Sequence, residues 1–150
     1  MLHTSVYHLS FALPLLLGAW SVARPPAEPE AFTLTVVVRG ATQEGGSLDA
    51  ALFASADDYL NAERVAQHLT RTRTAAVDSL VFHGVRPGRY AVAAFHDAND
   101  NGKLDKYIYG APRESWGMSG NVRPRLRAPR FDEAVVEVAA NTRVVIEVKR

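Results

Sequence analysis

Cysteine is absent from all 150 residues. That excludes disulfide staples, thiolate metal sites and cysteine nucleophiles, and it leaves packing or a bound ion to stabilise the fold. Net charge is nearly absent as well: 17 Lys and Arg stand against 16 Asp and Glu, interspersed, for a formal +1. Such a balance gives no reason to expect a nucleic-acid partner or a charged membrane surface. Asp, Glu, Lys and Arg are all missing from Met1 to Ala23. No second long apolar run follows, and no internal repeat of about 20–50 residues is visible, which removes solenoid architectures.

The uncharged start holds Phe11 to Trp20, an apolar run of signal-peptide length, and Ser21-Val22-Ala23 offers a cleavage site after Ala23. The run falls short of the roughly 20 apolar residues that cross a bilayer core of about 30 Å. We therefore expect residues 1–23 to be a signal peptide and the chain to be periplasmic or secreted, with no stable membrane span once the leader is removed. An uncleaved anchor is the alternative. Residues 24–31 are Pro-rich and charged and read as a linker. Residues 32–150 then form one domain, long enough to bury a core without staples.

Within that domain the apolar period is mostly two. Phe32 to Val38 places Phe32, Leu34, Val36 and Val38 on one face. Ser47 to Ala54 is a second strand, with Leu48 and Leu52 on one side and Phe53 on the other. Ser55-Ala56-Asp57-Asp58 resembles a capping box, and Leu60, Val65 and Leu69 predict a short helix over Tyr59–Leu69. Thr74 to Phe82 returns to strand. Pro87-Gly88 predicts a type II turn. Arg89 to His96 is apolar on both faces, as a central strand should be. Residues 106–131 are broken by Gly and Pro into a long irregular loop. Strands near Glu133–Val138 and Arg143–Lys149 complete the chain. The pattern predicts an all-β fold, an antiparallel β-sandwich of six to seven strands with one short helix.

The densest chemistry lies in Asp97-Ala98-Asn99-Asp100-Asn101-Gly102-Lys103-Leu104-Asp105. Oxygen side chains recur at every second position and a glycine follows, as in the front of an EF-hand calcium loop. Asp97, Asn99 and Asn101 would ligate through side chains, Lys103 through its carbonyl, and Asp105 at the ninth position. Position twelve should be a bidentate Glu and is Ile108, so the completing carboxylate must come from elsewhere; Glu114 is the nearest acid downstream. Calcium is thus the one cofactor this spacing suggests. A plain polar turn is the competing reading, because Asn101-Gly102 is a strong hairpin signal and Asx side chains bond their own backbone.

Pro87-Gly88-Arg89-Tyr90-Ala91-Val92, Phe95-His96-Asp97-Ala98-Asn99, Asn101 to Asp105, and Gly110 to Ser119 together resemble a bacterial family of exported proteins known as domain of unknown function two-one-four-one. The resemblance is specific over residues 87–119. It implies an extracytoplasmic β-sandwich and brings no established activity. The Pro-Gly-Tyr entry into a strand also resembles prealbumin-like sandwiches, an analogy of fold alone. With the family in view, Gly110 to Asn121 reads as one ordered loop beside the acidic one. Tyr107, Tyr109 and Trp116 then form an exposed aromatic platform or, alternatively, a cover over the open end of the sandwich.

Other constellations are weaker. Gly117-Met118-Ser119-Gly120-Asn121 departs from the G-x-S-x-G elbow at its last position, and a Ser119–His96–Asp97 triad needs a proximity only the fold can supply. His68, His83 and His96 are not spaced for zinc. Arg123, Arg125, Arg127 and Arg130 form a basic cluster that reads either as an anion contact or as a solvated face. The expected function is a non-enzymatic binding or accessory module of the cell envelope, whose partner is an envelope protein or a carbohydrate. The alternative is a metal-dependent envelope hydrolase using His96, Asp97 and Glu114.

Overall fold

A computed structural model describes residues 30–41, 45–125 and 127–150. The expected signal peptide and most of the Pro-rich linker lie outside the described residues. Eight strands follow in order: β1 (Phe32–Arg39), β2 (Ser47–Phe53), β3 (Gln67–Thr72), β4 (Val77–Val85), β5 (Gly88–Asp97), β6 (Trp116–Met118), β7 (Val135–Val138) and β8 (Thr142–Glu147). They form two sheets, β4-β1-β8 and β3-β2-β5, with β6 and β7 sharing the far edge of β5. The fold is an all-β sandwich. It is mixed where a purely antiparallel one was expected, because β8 runs parallel to β1 from Leu34↔Thr142 to Arg39↔Glu147.

Alternation places the core as the sequence indicates. Leu34, Val36, Val38, Leu80, Phe82 and Ile146 meet Leu48, Leu52, Val92, Ala94 and Val138 between the sheets. Each large side chain fully buried there contributes about 1.5–3 kcal/mol. The second face of β5 is also covered. Phe53, Ala91, Met118, Phe131 and Ala134 form an outer cluster, with Tyr59, Val65 and Trp116 packed on it. Tyr59 sits at its centre, edge-on to Phe53 at 5.4 Å and to Phe131 at 5.7 Å, its hydroxyl on the Met118 sulfur at 2.8 Å. Burial and the Glu133 charge push that phenol up to about 12.

Two local expectations are corrected. Tyr59–Leu69 is not a helix. Leu60 takes φ 62°, a left-handed conformation that interrupts any helix, and turns continue to Arg64. The Ser55–Asp58 pairing does form, with the Asp58 N–H on the Ser55 hydroxyl at 3.2 Å, but it closes a single turn. The chain then joins β2 as β3, from Ser47↔Thr72 to Leu52↔Gln67. Tyr59 and Val65 are drawn into the outer cluster and Leu69 packs against the main core, so tertiary pairing overrides the local period.

The second correction concerns residues 85–88. β4 and β5 belong to different sheets, so Pro87 bends the chain across the sandwich and no hairpin forms. Gly88 lacks the positive φ of a type II turn; Gly84 takes φ 67° instead, at the one-residue register shift between Phe32↔Val85 and Leu34↔Phe82.

The sandwich is sealed differently on its two sides. Trp116 and Lys149 exchange N–H···O bonds at 3.0 Å each, tying β6 to the end of β8. Gly117 permits that approach, since a Cβ there would lie 2.5 Å from the Glu147 carbonyl oxygen. On the other side the seam is closed by side chains. Gln67 Nε2 donates to the His83 carbonyl at 3.0 Å and Arg71 Nη1 to the Ser79 carbonyl at 2.9 Å.

Candidate functional site

β5 ends at Asp97, and the acidic loop leaves the sandwich there. Strand alternation sends His96 to the same side as Val92 and Ala94, and Asp97 to the opposite side. Both are buried, with His96 at 0% and Asp97 at 1% exposure. His96 Nε2 meets the Gly45 carbonyl oxygen at 2.7 Å, while its Nδ1 has no partner among the described residues. Gly46, at φ 70°, passes against the backbone of Asp97 where any side chain would collide.

The loop's side chains converge, and they do so on main-chain N–H groups and on one another. Asp97 accepts from Gly102 N–H at 2.6 Å and from Asn101 N–H at 3.2 Å. Asn99 Oδ1 accepts from Asn101 N–H at 3.2 Å, and Asn101 Oδ1 from Lys103 N–H at 2.9 Å. Asp105 receives the side-chain amides of Asn99 at 2.9 Å and Asn101 at 3.1 Å. Lys103 is exposed. Asp100 holds the turn at φ 56°, a conformation Asp tolerates better than most residues.

Glu114 closes this network from the far side of the loop. It is buried, and it accepts Ala98 N–H on Oε1 at 2.9 Å and Asp105 N–H on Oε2 at 2.9 Å. The sequence-derived set Asp97, Asn99, Asn101, Asp105 and Glu114 is therefore one hydrogen-bonded unit. Among the described residues, no three His, Asp or Glu side chains lie together as a metal-binding group, so an ion here would need the amide oxygens.

Above the loop stands a small hairpin. Arg113 N–H bonds Asp105 O at 2.8 Å, Lys106 pairs with Pro112, and Tyr107 N–H bonds Ala111 O at 2.8 Å. Gly110 N–H returns to Tyr107 O at 2.8 Å and closes a β-turn with Ile108 and Tyr109 at its apex. Tyr107 and Tyr109 stack at 5.1 Å and 4° between planes, and the Arg113 guanidinium lies 5.5 Å from the Tyr107 ring centre. These tyrosines are exposed, whereas Trp116 packs into the outer cluster under the Arg123 guanidinium at 4.5 Å. The aromatic set thus divides between a platform and a cover.

Ser119 has a structural part that sequence reasoning missed. β7 pairs with residues 88–91 of β5 and β6 with residues 93–95, which leaves Val92 between them. The fully buried Ser119 hydroxyl accepts Val92 N–H at 2.9 Å and donates to the Ala134 carbonyl. It fills the gap in the ladder and is not exposed as a nucleophile.

Asp49 was also overlooked. It is 1% exposed on β2, receiving Thr70 Oγ1 at 2.7 Å and lying 3.0 Å from His68 Nε2. A lone acid between apolar strand residues was the available signal.

The basic cluster is largely engaged. Arg123 donates to the Trp116 and Lys149 carbonyls, and burial pushes its guanidinium down. Arg127 grips Glu133 with two bonds of 2.7 Å, and Arg130 stands 3.6 Å from the same carboxylate. Those partners and the Arg130 N–H hold Glu133 down to about 2.

Searches of curated proteins and of solved structures returned no match. One family model does match, over residues 36–146, and that span takes in both sheets, the acidic loop and the hairpin. The chain belongs to the family described as uncharacterized protein conserved in bacteria, DUF2141.

Proposed function

We propose that this chain is an exported binding or accessory module of the bacterial cell envelope, not an enzyme, and that it works through the loop end of the sandwich. One observation carries this reading: two stacked tyrosines stand exposed on a hairpin that is braced from below by a buried carboxylate. Binding surfaces are favoured by rigid aromatic side chains, which lose little entropy on contact. The uncharged apolar leader supports export. The hydrolase alternative draws less support. His96 and Asp97 leave the strand on opposite faces, and both Glu114 oxygens already hold N–H groups.

The test begins with the chain recovered from the extracytoplasmic fraction of its host. Added to washed cell envelopes, it is retained, and the combined change Tyr107→Ala, Ile108→Ser and Tyr109→Ala removes retention while leaving the circular dichroism spectrum unchanged. Equal retention of the two proteins, or recovery from the cytoplasm only, would refute the reading.

A calcium ion on the acidic loop is the second reading. The alternating spacing of Asp97, Asn99, Asn101 and Asp105 supports it, and the backbone curls at Gly102, φ 74°, as such a loop requires, although in this structure those oxygens are held by N–H groups. With no bidentate Glu, binding falls in the range of extracellular modules, about 10⁻⁴–10⁻³ M. Calorimetric titration with calcium reads this directly, and Asp97→Ala abolishes the heat.

A further inference from the structure

We propose that the hairpin apex docks the chain on an anionic phospholipid surface. The inference rests on the binding-module reading and names its partner. Ile108 is the most exposed large apolar side chain among the described residues, at 106%. It stands at the apex of a turn, with Tyr107 and Tyr109 beside it. Amphipathic tyrosine rings favour the level of lipid headgroups, and an aliphatic side chain one step further out reaches the acyl boundary.

The charges around the apex fit the same partner. Lys103, Lys106, Arg113 and Arg150 are exposed on or beside the hairpin, and the Arg150 guanidinium Nε donates to the Arg113 carbonyl at 2.7 Å. Among the described residues none of these four is ion-paired. Of the loop's acids, Asp97 and Glu114 are buried on N–H groups and Asp105 is half-buried on two side-chain amides, so Asp100 is the one exposed carboxylate among them. Four exposed cations thus stand on or beside the hairpin against that one exposed carboxylate, although the whole chain is close to neutral. Basic side chains beside a membrane are attracted to anionic headgroups, and the attraction fades within a Debye length.

Size and shape decide against a folded protein as the main occupant. A stable protein interface takes about 800 Å² from each partner. A four-residue turn with one isoleucine at its apex offers far less, but it suits a fluid surface that closes around a convex point. Neither the apolar nor the electrostatic part is strong by itself, so docking is weak, reversible and salt-sensitive.

The absence of cysteine makes a direct test clean. Ile108→Cys in the chain purified from cells is labelled with an environment-sensitive fluorophore. It is then titrated with vesicles of equal phosphatidylglycerol and phosphatidylcholine, or of phosphatidylcholine alone. The label blue-shifts and brightens with the anionic vesicles only, and 1 M salt reverses the change. A label at the exposed Val77→Cys on β4 stays silent. Lys103→Glu with Lys106→Glu weakens binding by about tenfold or more. Silence at position 108 with anionic vesicles, or an equal response at position 77, overturns the proposal. If envelope retention still depends on the apex while the label is silent, the lipid assignment falls and the binding module stands.

Discussion

Glu114 shows how one side chain fixes a loop that has no regular structure. Its two oxygens hold Ala98 N–H and Asp105 N–H, which lie seven residues apart in the chain. Hydrogen bonds to a charged group contribute about 1.5–3 kcal/mol each, and a donor left without a partner costs about 1–3 kcal/mol. Glu114→Ala therefore lowers unfolding free energy by about 3 kcal/mol, measured by urea denaturation. Glu114→Gln keeps the shape but sets an amide NH₂ against an N–H, so it loses less than alanine and more than nothing. A Glu114→Ala loss below about 0.5 kcal/mol, the ordinary range for surface changes, would show that the loop holds without it.

At the scale of elements, the turn before β7 depends on Glu133. Arg127 and the Arg130 N–H bond its carboxylate and hold its pKa at about 2, below the ordinary 4.5. The stability this gives is present in full above pH 4.5 and disappears as pH falls toward 2. Glu133→Gln therefore flattens the decline of the urea midpoint between those two values. Asp78 supplies an internal control. Burial raises its pKa, but the Thr74 and Ala75 N–H groups, the Thr74 hydroxyl and Arg71 outweigh that and hold it below its usual 3.8. Its share of the acid decline persists in both proteins.

Six of the eight strands were legible, because side-chain alternation marks a half-buried strand without reference to its neighbours; β3 was read as the end of a helix, and the three-residue β6 was hidden in the expected irregular loop. Phe32 to Val38 and Arg89 to His96 are the clearest cases. What alternation does not encode is the sheet to which a strand belongs. Pro87-Gly88 looks like a hairpin turn whether β5 pairs with β4 or crosses to β2. The helix expected over Tyr59–Leu69 failed for a related reason. Of its spaced apolar residues, Val65 and Leu69 serve two clusters on opposite faces of one sheet, and Leu60 is exposed. The acidic loop was legible as a convergent unit through its alternate oxygens and Gly102. Ser119 was not, because its role arises only where two strands share one edge of β5.

At the scale of the whole molecule, two sheets sealed by Trp116 and Lys149 support a loop end in which carboxylates anchor the backbone and aromatic side chains are displayed. This division of labour is what the binding reading requires, and it requires the loop to be formed before any ligand arrives. Amide hydrogen exchange in EDTA tests that requirement residue by residue. Ala98, Gly102 and Asp105 N–H groups should exchange at least about a hundredfold more slowly than in an unstructured peptide, together with the adjoining end of β5. Exchange of those three amides at unprotected rates, while β5 stays protected, would mean that the loop is not held by its own carboxylates and would contradict the account.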